Sequence, residues 1–444
     1  MNVLYLYDST QTYTNTVYEH ISSFARYSSH QSFFAHQDKL TDFNIDLSSF
    51  DAVGIHFSIR LPFDQIAPST CKALQKFNGL KFLFIQDEYD HTHRAWHWIK
   101  TLGIGLVFTV VPEHGIASIY PPEEFPNTRF VSNLTGYVPD ALVASEHLEP
   151  PSRRSLVVGY RGRPLPIRYG KLGQEKIEIG RQFKSFCDDR KIRCDIAWTE
   201  EERIYGSRWY DFMVSCRAML GSESGSNVFD WDGSLVGRIA RYCATNKAVG
   251  SAAIYERFVR SEEIDGVMNQ VSPRIFEAIA AKTVLVLYEG AYSGVVKAGE
   301  HFIPVKKDGS NLPHVICMLE DGPYVDAMAE RAYRDVIASG QYSYRTFVEM
   351  VDVEIIRGSD RLRHHTLSPQ ETSVAPNGAS WSCTSITAIP MRAEPPAAQK
   401  LPATGLKSRT KDWAKKTAYD LWGRLPEPHR AVLKPRLKKL LKRG

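Results

Sequence analysis

Five cations crowd into a short stretch after one apolar run: Arg161, Arg163, Arg168, Lys171 and Lys176. Between the end of a strand and the start of a helix such a group neutralises an anion; the same pattern also describes a solvated charge run ahead of a helix. Ser272-Pro273-Arg274 offers a second anion-binding element. Ser suits an N-cap and Pro the first helical position, so the first amides of the helix stay open to a negative ligand. Glu277 falls in that helix's first turn, where the macrodipole alone accounts for an acid, and Arg274 can pair with it or with a phosphate. After the apolar run Thr283 to Tyr288 come Glu289, Gly290, Ser293 and Gly294. Those glycines permit close backbone approach to a ligand, or make a simple turn. The stretch 221–233, GSESGSNVFDWDG, leaves amides free for an anion or a base edge, with Glu223 and Asp230 as acceptors. In IQDEYD, Asp87 and Glu88 stand at the carboxyl end of a strand, where a general base for an acceptor belongs. The competing reading is that Asp90 and its neighbours cap the next helix.

Metal chemistry has little support. His91, His93 and His97 include pairs four apart, but no HExxH accompanies them. Asp230-Trp-Asp232 is formally D-x-D but lacks the setting of a donor-chelating pair. The seven cysteines show no C-x-x-C pair or metal-ligand spacing, which reads as a reduced protein without structural zinc. No metal and no cofactor is expected.

The elements that must position these residues follow from periodicity. With 444 residues and 43% hydrophobic composition, two or three folding units are expected. Asn2 to Tyr7, Ala52 to Ile55, Lys81 to Ile85 and Leu106 to Val111 read as strands. They alternate with helical patterns, including one carrying Val17, Ile21 and Phe24 and others at Gln65 to Phe77 and Thr92 to Leu102. The alternation predicts a parallel α/β domain over 1–150. The loop after the first strand lacks the G-x-G-x-x-G of a dinucleotide fold. The segment near Pro139 to Arg154, with Pro150-Pro151 and several charges, reads as a linker. A second α/β domain over 151–358 then opens with the strand Leu156 to Tyr160, a helix from Gly173 to Arg190, a strand at Asp195 to Trp198 and a helix around Tyr205 to Val214.

The segment from Asn269 to Asp308 resembles the donor-binding segment of GT-B glycosyltransferases. The matching residues are Glu277-Ala278, the strand to Tyr288, Gly290, Gly294, Gly299-Glu300, Pro304 and Asp308. The likeness is greatest to a bacterial subgroup, of the kind grouped as families 1 and 4, that writes this segment SPR-x-FEA with an EG-x-YSG loop. Two departures are visible: Asn269 replaces the first acid of the usual pair, and Lys282 and Val284 replace Gly and Pro. The resemblance implies two facing Rossmann-like domains, with the acceptor on the first and a nucleotide-sugar donor on the second. It implies Arg161 and Arg163 on the diphosphate with Lys176 in support, Glu277 on the ribose hydroxyls, and Glu289 with the Gly290 to Gly294 loop at the donor sugar. The helices Tyr324 to Ile337 and Tyr344 to Val353 would cross back to the first domain. The expected activity is metal-independent transfer of a sugar to a glycan, lipid-linked or other acceptor. The alternatives are a non-catalytic sugar-nucleotide-binding scaffold, supported by Asn269, and a nucleotide-sugar epimerase.

Residues 359–404, rich in Ser, Thr, Pro and Ala, read as a disordered linker. The last forty residues hold thirteen Lys and Arg against three acids, so the net charge of +5 hides a body at −5. That tail, 405–444, carries Trp413, Trp422 and leucines in short helical pieces, as an anchor on an anionic membrane surface requires; a merely solubilising terminus is the plain alternative. A nucleic-acid partner is not expected, because the basic residues are not interleaved with aromatics on the folded body. With no signal-like start and no apolar run near 20 residues, the expected location is cytoplasmic, or peripheral on the inner membrane face.

Overall fold

The computed structural model describes residues 1–140 and 148–366; the linker expected beyond 366 and the basic tail lie outside the described residues. Eleven strands are described, in two parallel sheets. The first contains β1 (Asn2–Tyr7), β2 (Gln31–His36), β3 (Ala52–Ile55), β4 (Leu80–Ile85), β5 (Leu106–Thr109) and β6 (Arg129–Ser132), in the order β2-β1-β3-β4-β5-β6. The second contains β7 (Leu156–Arg161), β8 (Cys194–Ala197), β9 (Cys216–Gly221), β10 (Val284–Tyr288) and β11 (Phe302–Val305), in the order β11-β10-β9-β7-β8. Both are doubly wound, so each has a point where strand order reverses: between β1 and β3, and between β7 and β9. Ligands of open α/β sheets bind beyond the carboxyl ends of the strands at such points.

Central strands are predominantly apolar because both faces are covered. All five residues of β10, VLVLY, are buried. In the first lobe α1 (Asn15–Tyr27), α2 (Pro68–Lys76), α3 (Thr92–Leu102) and α4 (Glu113–Ile119) flank the sheet. Gly103, at φ 63°, ends α3 in the left-handed turn glycine allows. In the second lobe α5 (Gly170–Arg190), α6 (Ser207–Ser215), α7 (Ser234–Thr245), α8 (Pro273–Ala280), α9 (Leu312–Glu320) and α10 (Gly322–Ala332) follow. The last helix, α11 (Tyr344–Thr366), returns to the first lobe and buries Tyr344, Phe347, Val348, Val351 and Ile355 against Tyr5, Phe24, Phe82 and Phe84. It runs past 358, where the linker was expected to begin.

The lobes interlock. Two second-lobe segments, one on each side of α7 in the chain, carry Phe229 and then Val267 and Met268 into the first-lobe core, with Trp231 packed alongside. Asp230 N donates to Tyr89 O at 2.8 Å, and His93 N to Trp231 O at 2.8 Å. Asp90 of the first lobe pairs with Arg168 and accepts from the Tyr169 hydroxyl at 3.1 Å. The two facing Rossmann-like domains are therefore present, within one compact unit. Among the described residues no helix is long and apolar enough to cross a membrane.

Candidate active site

Helix α8 starts at Pro273 because Ser272 holds the extended conformation of an N-cap, φ −90° and ψ 143°, and Pro fixes the first helical φ. The Ser272 hydroxyl makes no capping bond; Pro273 has no N–H and Ile275 N donates to Ser272 O at 2.9 Å, which leaves the Arg274 amide uncapped. The start of the helix opens into a cavity of about 480 Å³ between the lobes, at the reversal point of the second sheet. From that lobe Arg163, Lys176, Arg203, Ser222, Ser224, Ser272 and Arg274 line it; from the first come Thr16, Gln86, Asp87, Tyr89, Val110 and Thr135. Lys176 reaches in from α5 and donates to Ser224 Oγ at 3.0 Å. Burial, with Arg274 adding to it, pushes its ammonium down to about 8. The Arg274 guanidinium lies 5.7 Å from the Tyr160 ring and 5.6 Å from that of Trp209.

A recess of about 280 Å³ continues the cavity, lined by Arg161, Arg203, Ile204, Tyr205, Trp209 and Glu277 among others. Glu277 Oε2 accepts from the Trp209 indole at 2.8 Å. Burial raises the Glu277 carboxyl above its ordinary value, against the pull of Trp209 and Arg274. Arg161, expected on a diphosphate, is committed elsewhere. Its guanidinium donates to Asp195 Oδ2 at 2.8 Å and to the carbonyls of Tyr160, Asp195 and Glu202, and it lies 4.3 Å from the Phe212 ring.

Backbone amides at two other places are occupied by the protein's own carboxylates. Glu263 Oε1 accepts from Lys171 N at 2.6 Å at the start of α5. A Cβ on Gly170 would meet that oxygen at 2.2 Å. Glu223, buried, accepts from the amides of Ala291 (3.1 Å) and Tyr292 (2.8 Å) and from Asn269 Nδ2 at 2.5 Å. Gly290 sits against it, where a Cβ would lie 2.7 Å from Glu223 Oε2. In the same loop Tyr292, Ser293 and Gly294 all have positive φ, 47°, 54° and 74°. Ser293 Oγ accepts from Val271 N at 3.0 Å and donates to Gln270 Oε1 at 2.9 Å; the Gln270 amide in turn donates to Val110 O of the first lobe. Glu223, Gly290 and Ser293 thus build a braced loop behind the cavity. Glu289 and Gly294 are exposed and line neither cavity.

Asp87 lines the cavity from the first lobe, at φ 60°. Its Oδ1 accepts from the Tyr89 hydroxyl at 2.6 Å, and Arg60 stands 3.7 Å away. Glu88, expected beside it, is fully buried beneath and contacts Thr109 instead. Burial pushes its carboxyl up to about 8. Asp90 caps no helix, being held by Arg168 and Tyr169; Asp230 instead accepts from Leu235 N at 3.0 Å and Asp232 from Ser234 N at 2.9 Å, at the start of α7. His93 packs against Trp96 and Trp231. Among the described residues no group of three or more His, Cys, Asp or Glu is placed to hold a metal ion. Lys282, where the family pattern has glycine, has φ 48°, and its ammonium binds Glu330 at 2.7 Å. Sequence reasoning missed Trp209, Arg203, Gln86 and Gln270. Trp209 alone left a signal, as a large aromatic near the start of a helix already expected.

No family model and no curated protein matches the chain. Among solved structures it is similar to an alpha-glucosyltransferase in complex with UDP-glucose and DNA containing an abasic site, at 9% identity and TM-score 0.47, covering 80% of this chain and 99% of that one. It is similar to HepE of Anabaena in complex with UDP, at 11% identity and TM-score 0.40, covering 80% and 100%. It is also similar to T4 phage BGT in complex with its UDP-glucose substrate, at 10% identity and TM-score 0.36, covering 82% and 99%.

Proposed function

We propose that this protein is a glycosyltransferase that binds a nucleotide-sugar with its diphosphate over the start of α8 and transfers the sugar to an acceptor held by the first lobe. One observation carries the reading: the start of α8, with the Arg274 amide uncapped, faces the cavity beside the side chains of Arg163, Lys176 and Arg274, whereas Glu263 and Glu223 already occupy the amides of Lys171 and of Ala291 and Tyr292. Negative charge builds on the diphosphate as the glycosidic bond breaks, so fixed cations and helix amides stabilise the transition state more than the ground state. Glu277, in the adjoining recess, accepts from the ribose hydroxyls. Asp87, across the cavity, takes the proton of the attacking hydroxyl. No metal is needed for this charge balance.

A thermal-shift panel of UDP, GDP, CDP and dTDP tests the site, since a ligand that binds the native state raises the midpoint by mass action. One nucleotide is expected to stabilise the wild type. Arg274→Ala and Glu277→Ala should each weaken it by about tenfold or more, the loss of one charge-assisted hydrogen bond. If no nucleotide shifts the wild type, the reading fails.

A further inference from the structure

The cavity is electrostatically two-sided. All four of its basic side chains, Arg163, Lys176, Arg203 and Arg274, belong to the second lobe. The first lobe contributes one carboxylate, Asp87, and otherwise neutral groups such as Thr16, Gln86 and Tyr89. Two cations border the first-lobe wall, and each faces a carboxylate: Arg60 stands 3.7 Å from Asp87, and Arg168 pairs with Asp90. Tyr89 lines the cavity, and the Tyr169 ring of the second lobe meets its ring edge to face at 5.5 Å.

We infer that the acceptor is an uncharged polyol, a hydroxyl of a neutral sugar or glycoside, and that phosphorylated or other anionic acceptors are refused. This rests on the proposed donor site and adds the class of the second substrate. An anionic acceptor would place its charge against Asp87 and beside the donor's diphosphate. A like-charge contact at ~5 Å in a partly screened cleft costs about tenfold in affinity or more. A polyol instead donates to the Asp87 oxygen that Tyr89 does not occupy, and its C–H face suits the Tyr89 ring. In the transfer, the acceptor oxygen bonds to the anomeric carbon while that carbon's bond to the diphosphate oxygen breaks. The electron pair leaves on the nucleoside diphosphate, and the hydroxyl proton passes to Asp87 and on to solvent.

The test takes the full chain and the nucleotide identified by thermal shift, with its common sugars as donors. Transfer is followed by mass spectrometry to methyl glycosides and neutral oligosaccharides, each matched with its 6-phosphate or uronic acid. Neutral acceptors should lead by at least about tenfold in kcat/KM. Gln86→Lys, which sets a cation on the first-lobe wall, should narrow or reverse that ratio. Equal or faster transfer to the phosphorylated partners overturns the inference, as does transfer to no neutral acceptor while the nucleotide binds. Absence of any nucleotide binding is a separate result: it removes the donor site itself, and this inference with it.

Discussion

Glu88 and Lys176 have both been moved to about 8, from opposite directions, by burial that favours their neutral forms. The two shifts have different consequences. Lys176 loses its charge as pH rises through about 8, so affinity for a nucleoside diphosphate should fall between about pH 7 and 9; titration calorimetry across that range checks it. Glu88 has its folded value above the ordinary carboxylate value, so its contribution to stability is complete below about 4.5 and is lost as pH rises through about 8. Glu88→Gln keeps an oxygen for Thr109, and should raise the melting midpoint at pH 8 but not at pH 4, without abolishing turnover. A loss of turnover with no pH-dependent stabilisation would instead place Glu88 in the chemistry. The sequence marked Asp87 and Glu88 as equals. They part because adjacent residues leaving a strand point to opposite sides, so only one can face the cleft. The fate of Arg161 was hidden for another reason: its partner Asp195 lies on a neighbouring strand, and strand adjacency is decided by topology that local spacing does not encode.

Among elements, the braced loop is the one whose interactions are most open to test. Asn269 donates to Glu223 with one end and accepts from Asn227 Nδ2 at 2.8 Å with the other, tying the segment ahead of α8 to the 221–233 stretch, which Glu223 in turn ties to the glycine loop. Asn269→Asp should cost about 1–3 kcal/mol, because it sets two carboxylates in contact. Adding Glu223→Gln should recover most of that, since the new amide can accept from Ala291 and Tyr292 and donate to residue 269. Chemical denaturation of both single variants and the double variant gives the coupling directly; additive losses would mean the pair is not coupled. Long periodic elements were legible in the sequence: α3 falls where its pattern places it. The missed ones are edges. QSFFAH and RFVS form β2 and β6, which are partly exposed and lack the apolar run of a central strand. Helix α7 buries too few side chains to announce itself; within it only Leu235 is buried.

For the molecule as a whole, acid is the condition that the first lobe resists least. His20 and His56 are buried together, 3.0 Å apart, among Phe24, Phe57, Phe84 and Phe347. Burial pushes His20 down to about 3 and His56 well below its ordinary value. The unfolded chain protonates both near 6.5, so the stability held by the neutral pair is present above that pH and is lost as pH falls towards 3. The slope is up to about 1.4 kcal/mol per pH unit for each histidine. His20→Leu should flatten the fall in unfolding free energy between pH 6.5 and 4; an unchanged slope would assign acid sensitivity elsewhere.

The loop that carries Phe229 and Trp231 across the cleft bears on how this protein could be recombined. The first lobe's core is encoded in four separated stretches of the gene: the opening segment, the loop with Phe229 and Trp231, the segment with Val267 and Met268, and α11. A chimera that exchanged only residues 1–150 for a foreign lobe would strand two aromatic plugs and one helix face without their sockets. Shuffling of first lobes, open to proteins whose halves meet only at a hinge, is closed to this one unless all four pieces travel together.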